Sequence, residues 1–138
     1  SLPQHFADRF GWEEMANVTA HVYASLPDSE KHRCLIYGRN YGEAGAVDYF
    51  GRPFGLPPAI SQHNSYWYWS LDHLDQEATL IVIGVGRDEL LRDFESVQEA
   101  AMIRSDYAMP YENNLPVSIC RKLRRPVQEL WREGKHYI

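Results

Sequence analysis

A chain of 138 residues, 44% hydrophobic and 24% charged, has the make-up of one globular domain and is long enough to bury about two thirds of its unfolded surface. Its formal net charge of −5 gives no support for nucleic-acid binding, which shows as a basic surface. No run of about 18 or more apolar residues is present, so no segment reads as a bilayer-spanning helix.

The opening Ser1-Leu2-Pro3-Gln4 has no basic start followed by an apolar stretch, and so no signal peptide. A first residue other than Met reads as a processed protein or a piece excised from a larger one. Phe10-Gly11-Trp12 then leads into an amphipathic helix over Glu13–Leu26. Met15, Val18, Val22 and Leu26 recur at three- and four-residue spacing, two acids stand in the expected first turn, and Pro27 ends it. Arg33-Cys34-Leu35-Ile36-Tyr37 reads as a short buried strand. Asn40 is a plausible N-cap with Glu43 three residues on. Ala44, Val47 and Phe50 form an apolar stripe, and Gly51 falls just past the helix end.

Leu56-Pro57-Pro58-Ala59-Ile60-Ser61 is a rigid entry into a second short strand. Thr79–Val85 is continuously apolar and β-branched, as suits a central strand covered on both faces. Gly86-Arg87-Asp88 turns into a helix over Glu89–Phe94. Ser96–Ile103 fits a strand or a helix and is read as a strand, in which Val97, Ala101 and Ile103 alternate only loosely. Val117–Arg121 is a last strand, and Pro126 begins a short helix through Trp131. Strand, helix, strand, then strand and helix predicts a single three-layer α/β domain over residues 1–138. Its sheet is expected to be mainly parallel, flanked by helices, with room for an antiparallel edge strand. The connection from Ile36 to Ile60 should be a right-handed crossover.

The chemistry-bearing groups gather at two turns. Gly38, Asn40, Gly42 and Glu43 follow the first strand, where α/β folds place ligands. They match neither a dinucleotide fingerprint nor a phosphate loop, and a capping box also accounts for Asn40 and Glu43. After the second strand, Ser61, His63 and Asn64 run into Tyr66-Trp67-Tyr68-Trp69. Rings at successive strand positions face opposite sides, so this run either packs against a second layer or meets a flat amphipathic ligand or a partner. The imidazole and carboxamide suit a hydroxyl-rich ligand; a buried polar cluster that holds the loop is the alternative. Asp72, His73 and Asp75 have irregular spacing for a metal and read as a solvated loop.

Glu112, Asn113 and Asn114 lie between Pro110 and Pro116, either as a rigid turn or as the rim of the same site. No G-x-S-x-G elbow supports a hydrolase triad. Cys34 and Cys120 sit in apolar runs and read as buried free thiols, while a bridge would need their strands to be close. Arg121, Lys122, Arg124 and Arg125, echoed by Arg132, Lys135 and His136, form either a solvated face or one turned to phosphates or an anionic membrane.

Four strings carry a family likeness: Gly38-Arg39-Asn40-Tyr41-Gly42-Glu43-Ala44-Gly45-Ala46, Gly55-Leu56-Pro57-Pro58-Ala59-Ile60-Ser61, His63-Asn64-Ser65-Tyr66-Trp67 and Met109-Pro110-Tyr111-Glu112-Asn113-Asn114-Leu115-Pro116. With them the chain resembles, over nearly its whole length, the C-terminal domain of bacterial membrane glycosyltransferases of the dolichyl-phosphate-mannose protein mannosyltransferase type, whose superfamily includes the aminoarabinose transferases. Position 62 departs from the pattern, with Gln62 where a glycine is common before His63-Asn64.

The resemblance implies a parent protein with many transmembrane helices, a polyprenyl-phosphate sugar as donor, and this domain on the extracytoplasmic, periplasmic face. The catalytic acid of such enzymes lies in a loop of the membrane part, so no catalytic residue, metal or cofactor is assigned to this chain. Its expected partners are the transmembrane part of the same protein and a lipid-linked sugar or glycan acceptor. The substrate-binding or interface set is Asn40, Tyr41, Glu43, Ser61, His63, Asn64, Tyr66, Trp67, Trp69, Glu112, Asn113 and Asn114. Two other classes stay open: an independent α/β enzyme acting on a sugar or nucleotide through His63, Glu43 and Glu112, and an interaction module that assembles partners through its aromatic surface.

Overall fold

The computed structural model describes residues 4–39, 41–61, 78–104 and 114–124, the side chains of 4–10, 41, 60 and 104 excepted. In chain order the described elements are α1 (Gln4–Ala24), α2 (Asp28–Lys31), β1 (Cys34–Gly38), α3 (Tyr41–Gly51), a 3-10 turn (Arg52–Phe54), β2 (Ala59–Ile60), β3 (Thr79–Ile83), α4 (Arg87–Leu90), β4 (Phe94–Arg104) and β5 (Asn114–Leu123). The expected helix at Pro126–Trp131 lies outside the described residues.

In α1, Met15 and Val22 are buried and Val18 packs half-buried against the core, as their spacing requires; Leu26, just past the helix, joins them. The helix begins at Gln4, not at Glu13. Glu13 and Glu14 are therefore exposed mid-helix residues rather than first-turn acids. The buried Thr19 hydroxyl donates to the Met15 carbonyl at 2.7 Å, which satisfies it inside the helix. After the helix, the Pro27 carbonyl accepts the N–H groups of Glu30 and Lys31 at 2.9 and 3.0 Å and opens α2.

The strands form one sheet in the order β2-β1-β3-β5-β4. β1 is parallel to β2 and β3, with Ile36 opposite both Ala59 and Ile81. β5 is antiparallel to β3 and to β4, with Ile119 opposite Ile81 and Gln98. The fold is therefore mixed α/β, but the sheet is mostly antiparallel, which corrects the expectation of a mainly parallel one. The antiparallel part is no single edge strand: it includes β4 and β5, the two longest of the described strands. Residues 105–113 separate them, fewer than the dozen or more that a parallel crossover needs.

All five residues of β3 are buried. On one face, Cys34, Ile36, Ile81, Ile83, Val117 and Ile119 pack with Met15 and Val22 of α1 and with Ala44 and Val47 of α3. On the other, Tyr37, Leu80, Val82 and Cys120 join Val85, Leu90, Phe94 and Val97. A strand that is dry on both faces has no polar alternation, which is why Thr79–Ile83 reads as an unbroken apolar run. Cys34 and Cys120 are free and buried on opposite faces, where no bridge can form.

Several boundaries move. Gly51 is the last residue of α3, and Gly55 takes the left-handed conformation (φ 71°) that closes the following turn. β3 stops at Ile83, before Gly84 at φ 86°. α4 stops at Leu90, and Phe94 opens β4 instead of closing a helix. Asn114 to Pro116, expected in a turn, are already in β5.

Near the end of β5, the Arg121 guanidinium clasps Glu30 of α2 with Nε–Oε1 at 2.7 Å and Nη2–Oε2 at 3.0 Å. This two-point, charge-assisted pair ties α2 to the sheet. Its hydrogen bond to Arg121 holds the Glu30 carboxyl below the usual carboxylate range. A depressed acid contributes stability above its unfolded pKa and loses it as pH falls through the lower folded value. Arg121→Ala should thus destabilise by about 1–2 kcal/mol at neutral pH. The gap to wild type should close in acid, once Glu30 is protonated in both states. Urea titrations across that range check the sign; a gap that widens in acid would contradict it.

Candidate functional site

β1 and β3 are parallel neighbours, and Gly38 lies opposite Ile83 where both end. Their continuations part: α3 packs into the face that holds α1, whereas Val85 and Leu90 pack into the other face. Adjacent parallel strands whose connections diverge in this way open the crevice in which α/β folds bind ligands.

Here the crevice holds Glu43, which is only 2% exposed. Its Oε1 accepts the Arg39 backbone N–H at 2.7 Å, a donor that also faces the Ile83 carbonyl at 3.2 Å. The Arg39 guanidinium donates from Nη1 to the Gly84 carbonyl at 3.2 Å. Gly84 is pressed against the carboxylate, since a Cβ there would stand 2.9 Å and 3.0 Å from its two oxygens. One turn of helix thus places an acid from α3 across the ends of two strands. The acid also lies in the first turn of α3, where the helix dipole favours it. Among the described residues the bond Glu43 accepts comes from Arg39, the residue before the expected cap Asn40, which lies outside them.

Two other predicted residues reach this edge. Ser61 directly follows β2, fully buried, and its Oγ has no hydrogen-bond partner among the described residues. Asn114 opens β5 and is exposed; the Pro116 carbonyl, two residues on, accepts the Gly84 N–H at 2.9 Å. Tyr41 begins α3, but its side chain lies outside the described residues, as do Asn40, His63, Asn64, Tyr66, Trp67, Trp69, Glu112 and Asn113. Sequence reasoning missed Arg39 and Gly84. Gly84 left a signal, as a glycine breaking an apolar run, but was read as part of the strand.

The described residues supply little reactive chemistry. Burial pushes both thiols up to about 12, so Cys34 and Cys120 stay protonated and are not nucleophiles. Among the described residues no cluster of His, Cys, Asp or Glu could hold a metal ion, and no helix is long and apolar enough to cross a membrane. Glu43 acts as an acceptor that organises the strand ends. No family model, curated protein or solved structure matches the chain.

Proposed function

We propose that this chain is the extracytoplasmic, periplasmic accessory domain of an integral-membrane glycosyltransferase that uses a polyprenyl-phosphate sugar donor. In this reading it covers the membrane active site or binds the acceptor and is itself non-catalytic. Its partners are then the transmembrane part of the same protein and the lipid-linked sugar or glycan acceptor, with no cofactor and no nucleic acid.

The likeness of the Gly38–Ala46, Gly55–Ser61, His63–Trp67 and Met109–Pro116 strings motivates the reading. The observation that carries its non-catalytic part is the state of Glu43, the one described acid in the crevice. Buried, bonded to a backbone N–H and pressed on Gly84, it is held as a structural acceptor. A general acid or base must instead reach the proton it transfers. We also read the domain as three-layered; the second face supports this, with Val82 and Cys120 as fully buried as Ile81 on the first.

Incubated with polyprenyl-phosphate sugars and candidate acceptors, this chain alone should give no product above background. The full-length protein should transfer the sugar and lose that activity when this domain is deleted. Turnover by the isolated chain that vanishes on Glu43→Gln would overturn the reading in favour of an independent enzyme.

A further inference from the structure

We infer that the edge of the sheet opposite Glu43, where β1 and β3 begin, is a docking surface for an anionic phospholipid bilayer. Topology brings distant segments to this edge. α3 and the 3-10 turn return the chain to the start of β2, β5 ends here because it is antiparallel to β3, and β4 begins beside it at Phe94 opposite Leu123.

Two kinds of side chain then coincide. The exposed cations Arg33, Arg52, Arg92, Lys122 and Arg124 all fall at this edge. The acids at this edge are Asp28, paired with Lys31 at 3.7 Å, Glu30, clasped by Arg121 and also facing Arg33, the buried Asp93, and the exposed Glu95. Exposed acids elsewhere among the described residues lie away from it: Glu13 and Glu14 in mid-helix, Asp88 beyond the far end of β3, and Glu99 within β4. An acidic chain thus carries a basic edge.

The same edge presents Tyr49, 73% exposed, and Phe54, 55% exposed, the two most exposed large apolar side chains described. Phe50 holds the Tyr49 ring edge-on at 4.9 Å. Amphipathic rings sit at the headgroup level of a bilayer, and cations are drawn to its anionic lipids. From the β2 side to β4, the row spans about 19 Å at roughly 4.8 Å per strand. A row along one rigid edge meets a plane better than it wraps a nucleic-acid strand, and the net charge of −5 opposes polyanions at long range.

This inference is independent of the transferase reading, because the probe vesicles contain no sugar lipid. The chain should co-sediment with vesicles of phosphatidylcholine and phosphatidylglycerol at low salt, and much less with phosphatidylcholine alone or at high salt. Lys122→Glu and Arg52→Glu should each lower partitioning at least about fivefold. Tyr49→Ser with Phe54→Ser should lower it further without removing the salt dependence. The salt and lipid arms need no variant, and circular dichroism confirms that each variant folds. Equal binding to both vesicle types, no binding to either, partitioning unmoved by the charge reversals, or binding to single-stranded nucleic acid without binding to vesicles would overturn it.

Discussion

Replacing Gly84 with alanine should destabilise the protein by about 3 kcal/mol, read as a fall in the urea midpoint with an unchanged slope. Two penalties add. Gly84 sits at φ 86°, and an L-residue forced left-handed costs about 1–2 kcal/mol. The new Cβ would also stand 2.9 Å, 3.0 Å and 3.2 Å from the carboxylate atoms of Glu43. The end of a glutamate ordinarily swings aside, but this one is buried and tethered to the Arg39 N–H at 2.7 Å. Overpacking of that kind costs about 1–3 kcal/mol. Adding Glu43→Ala to the Gly84→Ala protein should relieve the crowding but not the dihedral, giving a coupling of about 1 kcal/mol or more. Strictly additive losses would show that the carboxylate does not press on Gly84.

The parts of the fold legible in the sequence are those fixed by local periodicity. Met15, Val18 and Val22 announced the buried stripe of α1, and Thr79–Ile83 announced a strand covered on both faces. What stayed hidden depends on partners far along the chain. The β4 pattern looked loose because the register shifts between Glu99 and Ala101, opposite Ser118 and Val117. In an unbroken strand Val97, Ala101 and Ile103 would share a face. The bulge instead leaves Val97 on one side of the sheet and Ala101 and Ile103 on the other.

Pro116 and the neighbouring amides read as a turn, since proline suits strand interiors poorly. It is tolerated near the start of β5, where its carbonyl still takes the Gly84 N–H at 2.9 Å. That misreading also hid the β4–β5 pairing and so made the sheet look mainly parallel. At the site, the spacing of Asn40 and Glu43 pointed to the right turn. Nothing local told that the carboxylate would bury itself against a glycine forty-one positions further on (84 − 43).

Glu43 therefore decides between a structural and a chemical reading of the crevice. Glu43→Ala should destabilise by about 3 kcal/mol, since it opens a cavity at a fully packed position and removes the hydrogen bond from the Arg39 N–H. The Ile83 carbonyl, 3.2 Å from the Arg39 N–H, offsets part of that loss. Glu43→Gln keeps the volume and one acceptor oxygen for that N–H, so its cost should be about 1 kcal/mol. The two variants thus separate packing from charge. On the proposed transferase reading, if the carboxyl group only organises the strand ends, the full-length protein with Glu43→Gln should keep its transfer rate, and the Ala variant should lose activity only in step with its folded fraction. A reacting acid would give the reverse split: near-normal stability for Gln with a rate reduced about 10²–10⁴-fold. Melting curves and initial rates on the same two preparations tell these apart, and a stable but inactive Gln variant would return the crevice to the enzymes.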